Sequence, residues 1–160
     1  MFFGSYDYSI DEKGRLVVPS KIRGSLGTNV YILKGYDGCV SLYTEETFLK
    51  LTESLKSLPF ESKESRLHAR LVLGSVVMIT IDKQGRLQFP QATLTKYNLK
   101  KEVTIVGVLD HLEIWDREEY QRYLNDNEGD FESNAEELLK HEKWLSFVCF
   151  IKWSNRRTQY

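Results

Sequence analysis

Ser9-Ile10-Asp11-Glu12-Lys13-Gly14-Arg15-Leu16-Val17-Val18-Pro19 recurs 71 residues later as Thr80-Ile81-Asp82-Lys83-Gln84-Gly85-Arg86-Leu87-Gln88-Phe89-Pro90. Ile, Asp, Gly, Arg, Leu and Pro keep their register, six identities in eleven positions. The match continues on both sides. Gly4-Ser5 precedes the first copy and Gly74-Ser75 the second, while Gly35-Tyr36-Asp37-Gly38-Cys39-Val40-Ser41-Leu42-Tyr43 is answered by Gly107-Val108-Leu109-Asp110-His111-Leu112-Glu113-Ile114-Trp115. Each copy then enters an acidic helix start, Thr44-Glu45-Glu46 and Asp116-Arg117-Glu118-Glu119. The chain is an internal duplication, and its fold has to be sought as two copies of one unit.

Within a copy, Tyr6 to Ile10 is rich in aromatic and β-branched residues and predicts a strand. Asp11 to Gly14 is polar and ends in glycine, as a hairpin connection with positive φ requires. Arg15 to Val18 reads as the return strand, stopped by Pro19, which cannot donate to a ladder. A short helix over Ser20–Leu26, a strand over Asn29–Lys34, a turn at Gly35–Gly38 and a strand over Cys39–Tyr43 complete it. The second copy repeats the order as Val76–Ile81, Arg86–Phe89, Gln91–Asn98, Val103–Val108 and Leu112–Trp115. The pattern is β-β-α-β-β, twice.

Helices follow each copy. Thr44 suits an N-cap, and Phe48, Leu51, Leu55 and Leu58 share one face before Pro59 ends the helix. A second helix is expected over Ser62–Val72, with Leu67 and Leu71 one turn apart. After the second copy, Asp116 and Glu119 resemble a capping box, with Tyr120, Tyr123 and Leu124 as the apolar face. The polar segment Asn125–Ser133 reads as a linker, and Asn134–Leu145 as a last helix presenting Leu138, Leu139 and Trp144. One copy is too small to bury a good core alone. The expected fold class is therefore α+β with a mainly β core, the copies packing about a pseudo-twofold axis into one composite domain.

Composition narrows the function. A chain of 160 residues, 41% hydrophobic and 28% charged, is globular, one domain or two small ones, and neither collagen-like nor disordered. A net charge of −1 and a pI near 6.3 exclude a protein that coats nucleic acid through its overall charge, so a polyanionic partner has to meet a local patch. Cys39 and Cys149 form neither a disulfide framework nor a zinc pattern, and His68, His111 and His141 stand singly, so no metal is expected. No nucleophile elbow, phosphate loop or dinucleotide fingerprint occurs. Asp11 and Asp82 each have an Arg nearby, which lowers a carboxyl pKa and makes a poor proton donor at neutral pH. An enzyme, a cofactor and a small-molecule substrate are not expected. The start, Met-Phe-Phe-Gly-Ser-Tyr-Asp, has no secretory character. The longest apolar-rich run, Trp144 to Trp153, falls short of the roughly 20 residues of a membrane span. A cytoplasmic protein with no membrane partner is the expectation.

The distinctive residues are Asp11-x-x-x-Arg15 and Asp82-x-x-x-Arg86, each Arg following a turn glycine. Two readings fit. As a strut, each pair ties the arms of a hairpin and contributes about 0–1 kcal/mol. As a reader, each loop presents a guanidinium that can bond bidentately to guanine O6 and N7, while neighbouring lysines meet phosphates. Local charge favours the second: Lys13, Arg15, Lys21 and Arg23 outnumber Asp11 and Glu12, and Lys83, Arg86, Lys96, Lys100 and Lys101 outnumber Asp82 and Glu102. The compensating acid lies between Asp110 and Glu142.

The opening Met-Phe-x-Gly-Ser-Tyr and the paired Asp-x-x-Gly-Arg-Leu-x-x-Pro segments resemble the MraZ family of bacterial transcriptional regulators over residues 1 to 143. The resemblance implies two tandem AbrB-like (swapped-hairpin) ββαββ repeats forming one β-barrel-like domain with peripheral helices. Residues 5–47 would form the first AbrB-like repeat, 48–73 connecting helices, 76–119 the second repeat, 120–145 C-terminal helices and 146–160 an atypical tail. It implies ring-shaped homo-oligomers, association with the nucleoid, and binding to short direct repeats in double-stranded DNA upstream of the division and cell-wall gene cluster, the regulator's own promoter included. It assigns DNA contact to Arg15 and Arg86, with Lys13 in the first loop and the reordered Lys83 and Gln84 in the second. From Trp144 onward the chain departs from the family's ending, and that tail fits a packed strand, an oligomer contact or a loose terminus, with Arg156 and Arg157 available to phosphate. Two other readings remain: an AbrB-like antitoxin whose acidic C-terminal region holds a toxin protein, and a sequence-blind nucleoid protein relying on phosphate contacts.

Overall fold

A computed structural model describes residues 1–140. The expectations for His141, Trp144, Cys149, Arg156, Arg157 and the tail lie outside the described residues. The chain divides into two compact units, Met1–Tyr120 and the residues from Gln121 onward.

The first unit is built from β1 (Ser5–Ser9), β2 (Arg15–Val17), α1 (Ser20–Leu26), β3 (Asn29–Lys34), β4 (Val40–Thr44), α2 (Glu45–Lys56), α3 (Lys63–Leu73), β5 (Val77–Thr80), β6 (Arg86–Gln88), α4 (Gln91–Lys96), β7 (Glu102–Val108), β8 (His111–Asp116) and the first turn of α5 (Arg117–Asn127). Local chemistry sets most of these boundaries. Pro19 and Pro90 end β2 and β6 and lead directly into α1 and α4. Thr44 caps α2 in a reciprocal box with Thr47, and Ser62 caps α3 through the Ser65 N–H. Phe48 stacks on Tyr31 at 4.3 Å between ring centres, which seats α2 on β3. The rest of that helical layer is open: Leu67 and Leu71 of α3 are about half exposed.

Six strands form one antiparallel sheet in the order β1-β7-β8-β4-β3-β5, and β2 and β6 form a separate two-stranded ribbon. The first strand of each copy joins the sheet beside the third strand of the other copy, β1 on β7 and β5 on β3, while the two fourth strands meet at the centre. The core follows the duplication. Leu16 and Leu87, Val18 and Phe89, and Leu42 and Ile114 are all buried, in one cluster with Val30, Ile32, Val40, Val103 and Leu112. Each such side chain contributes about 1.5–3 kcal/mol of burial.

Three expectations need correction. The sheet is open, with β1 and β5 at its edges, so it is not a closed barrel. Closure would need strands bridging those edges, and the three-residue β2 and β6 are occupied with each other. The first two strands of a copy also do not form a hairpin ladder. Past the turn the arms of the first copy share only the Ile10–Leu16 bridge, because each arm finds a better-matched partner in the other copy. The supposed linker over Asn125–Ser133 is helical: α5 runs to Asn127, a 3-10 turn covers Glu128–Asp130, and residues 131–140 are helical again. A lack of core residues is a poor guide there, since a solvated helix satisfies its own backbone. Among the described residues no helix is long and apolar enough to cross a membrane.

Candidate nucleic-acid interface

The turn at Asp11 is closed by its own carboxylate. Asp11 Oδ1 accepts from the backbone N–H of Lys13 and of Arg15, both at 2.9 Å, and Oδ2 accepts from Arg15 Nε at 2.7 Å. The Gly14 N–H donates to the Asp11 carbonyl at 2.9 Å, and Asp11 N–H to the Arg15 carbonyl at 3.0 Å. Gly14 has φ +74°, a conformation that costs other residues steric strain. The loop at Asp82 repeats each of these features: Gln84 and Arg86 N–H on Oδ1 at 2.9 Å, Arg86 Nε on Oδ2 at 2.7 Å, and Gly85 at φ +74°. This is why Asp, Gly and Arg recur at fixed spacing. One carboxylate organises the loop backbone and orients the guanidinium together.

The ribbon joins the two loops. Leu16 faces Leu87, both buried, while the flanking pairs Arg15–Gln88 and Val17–Arg86 turn to the other face. The strands hold Val18 N–H on the Gly85 carbonyl and Phe89 N–H on the Gly14 carbonyl, each at 2.9 Å, so each loop's glycine braces the other copy's strand end. Arg15 and Arg86 therefore share the outward face of one ribbon, with side chains 29% accessible. Nε of each is engaged by its Asp, leaving the Nη end of the fork outward. No hydrogen bond to Nη1 or Nη2 of Arg15 is formed among the described residues, whereas Arg86 Nη2 donates to Gln84 Oε1 at 3.2 Å. Lys13 and Lys83 are exposed at the loop tips.

Both carboxyls sit below the ordinary aspartate range. At Asp11 the Arg15 backbone N–H is the main cause, opposed by partial desolvation and aided by the Arg15 side chain and the Lys13 N–H. At Asp82 desolvation is the largest influence and pushes upward, but the Arg86 side chain and the Arg86 and Gln84 N–H groups together outweigh it. Both are acceptors at neutral pH. Elsewhere, burial pushes the Cys39 thiol up to about 12, which leaves it protonated. His111 is stacked on Tyr43 and bonded to Asp110 at 2.7 Å. Among the described residues no group of His, Cys, Asp and Glu could hold a metal.

Two residues of this site escape a reading of the motif. Gln88 reaches across the ribbon, its Nε2 donating to the Lys13 carbonyl. Arg23 of α1 lies over Gly85, its Nη2 donating to the Val18 carbonyl at 2.8 Å. Gln88 stands between two buried residues in the alternating pattern and so could have been placed on the outward face. Arg23 counts among the basic residues of the first copy, but nothing in the sequence places it against the loop of the second, which is 62 residues away along the chain. Compared with protein-family models, residues 1–71 and 73–142 match the one described as "MraZ protein, putative antitoxin-like".

Proposed function

The chain belongs to the MraZ family, a regulator-type family, and on that premise we propose that it is a sequence-specific DNA-binding transcriptional regulator. It reads short direct repeats upstream of the division and cell-wall gene cluster, its own promoter included. The observation that carries the reading is the shared outward face of the ribbon: two arginines, each pre-oriented by an aspartate through Nε, with their Nη ends turned outward. A guanidinium fixed in this way loses little freedom on meeting a base edge, and its remaining N–H groups fit guanine O6 and N7. A two-stranded ribbon is narrow enough for the major groove. Lys13 and Lys83 meet phosphates, and Gln84 both steadies Arg86 and offers its amide to the DNA.

The exchange of first strands between copies supports the tandem AbrB-like swapped-hairpin reading. The half-exposed leucines of α3 support self-association, and a ring would sum weak loop contacts by raising the effective concentration of linked sites. Association with the nucleoid follows from such binding. One observation favours a second reading, an antitoxin that holds a toxin protein. Residues 121–140 carry six acidic against two basic side chains, and Leu124, Phe131, Leu138 and Leu139 are exposed among them.

Fluorescence anisotropy on DNA upstream of the protein's own gene tests the proposal. The intact chain is compared with Arg15→Ala/Arg86→Ala, against scrambled DNA, at several salt concentrations, with circular dichroism to check folding. Selective binding that the folded variant loses is the expected result. Equal binding to scrambled DNA would turn the reading to a nucleoid-coating protein, and no binding at low salt to a protein partner.

A further inference from the structure

A pocket of about 190 Å³ opens between the helical layer and the sheet, away from both loops. Leu51 of α2 with His68 and Leu71 of α3 line one side, and Leu33, Ser41 and Tyr43 of β3 and β4 the other. Its walls are tied together. The Ser75 hydroxyl donates to the Val72 carbonyl at the end of α3 at 2.7 Å and accepts the Lys34 N–H of β3 at 2.9 Å. The cavity is therefore bounded by bonded elements.

The polar groups that reach the pocket are unspent. Among the described residues, Lys34 Nζ, the Tyr43 hydroxyl and the ring nitrogens of His68 form no hydrogen bond or ion pair. Burial is the main cause that pushes Tyr43 up to about 12, so its hydroxyl stays a donor at neutral pH. No acidic side chain lines the pocket. Asp110 and Glu113, the carboxylates that act on Tyr43, are engaged with His111.

Size and chemistry then define an occupant. A cavity of about 150 Å³ holds benzene, and drug-sized molecules need about 300 Å³ or more. This pocket accordingly takes one six-membered ring with a small substituent and excludes a nucleotide. Tyr36, Tyr43 and His68 bring rings to its lining, which favours a flat aromatic body over a branched aliphatic one. An ammonium and a hydroxyl donor with no acid among them favour a carboxylate as the substituent. We propose that the pocket binds a small aromatic carboxylic acid, its ring among Leu33, Leu51 and Leu71 and its carboxylate on Lys34 and the Tyr43 hydroxyl. The site shares no residue with the loops and does not rest on DNA binding.

Benzoate is the probe, titrated into the full chain and followed by heteronuclear NMR of leucine methyls and aromatic rings. Acetate supplies the charge without the ring, and benzyl alcohol the ring without the charge. Saturable shifts at Leu51, His68, Leu71 and Tyr43 are expected, with each partial probe bound several-fold more weakly than benzoate. Lys34→Met, at an exposed position, is expected to keep the circular-dichroism spectrum and to bind benzoate several-fold more weakly while binding benzyl alcohol as before. Lys34→Gln gives the same result should methionine disturb the fold. Absence of saturable shifts at these residues would overturn the proposal. So would acetate matching benzoate, which would leave only an anion on a surface lysine, or benzyl alcohol matching it, which would leave an apolar hollow. Unchanged benzoate affinity in the Lys34 variants would overturn it as well. Shifts absent from the intact chain but present in a Leu71→Arg variant that sedimentation velocity finds dissociated would give the pocket to a second copy of the chain instead.

Discussion

A methyl group added to Gly14 would meet the Phe89 carbonyl at 3.0 Å, with Gln88 Nε2 and Leu94 Cδ1 at 3.4 Å, whereas one added to Gly85 would fall inside the Arg23 guanidinium. Within the loops the difference is as plain. The first has Glu12 and Lys13 where the second has Lys83 and Gln84. Beside the first loop opens a cleft of about 450 Å³ whose lining includes Glu12, Asn98, Lys100 and Lys101, and Lys100 there is paired to Glu118 at 2.8 Å. Yet the backbone frame, the two carboxylate-held arginines and the ribbon between them are the same in both. The frame depends on Asp, Gly and Arg alone, so the residues around it are free to set how each loop meets its partner.

The largest effect comes from breaking what the loops share. Leu16→Ala and Leu87→Ala remove the two side chains that face each other beneath the ribbon, each buried, and each should cost about 2–5 kcal/mol in urea unfolding. A large cost at one leucine and a small one at the other would show that the ribbon is packed mainly by one copy. Single replacement of Arg15 or Arg86 by Ala comes next, at about 1–3 kcal/mol of promoter-DNA binding per lost bidentate contact, with little change in folding. Unequal losses, read by anisotropy, would rank the two ends of the site.

The glycines separate the loops by what can give way. Both Gly14→Ala and Gly85→Ala force φ +74° on a side chain, worth about 1–3 kcal/mol. Gly14→Ala is expected to be the worse, since it meets a backbone carbonyl, while Gly85→Ala pushes aside the flexible Arg23. Calorimetry checks the order. The smallest effect is that of pH. Asp11 and Asp82 titrate below the ordinary aspartate value when folded, so their stabilisation is present above the unfolded pKa and is lost as pH falls through the folded one. Stability should be insensitive to these two groups from pH 7 to about pH 5. Carbon-detected NMR titration should find both midpoints below that of an unfolded aspartate; a midpoint at or above it would remove the carboxylate from the loop's frame.

Much of this is legible in the residues. The duplication, the element order and the positions of Arg15 and Arg86 follow from the recurrence of Asp, Gly, Arg, Leu and Pro, because each has a local role. Asp accepts loop N–H groups, Gly adopts positive φ, Arg pairs with the carboxylate, Leu fills the core and Pro ends a strand. The segment Asn125–Ser133 departs from expectation because polarity does not imply irregular backbone. Gln88 escapes a reading of the sequence as part of the site, and Arg23 is read there with the first loop instead of the second, because both roles are settled by neighbours distant in the chain.

What the sequence determined by itself was therefore local: where strands turn, where helices are capped, and that two loops of one design occur. Which strand pairs with which was decided only in three dimensions. A turn ties two arms at one end but leaves their far partners to be chosen by length and by buried face. In the folded chain β1 lies along β7, β2 along β6, and Arg23 over the loop of the other copy. Those choices bring Arg15 and Arg86 onto one face, and no spacing along the chain records them.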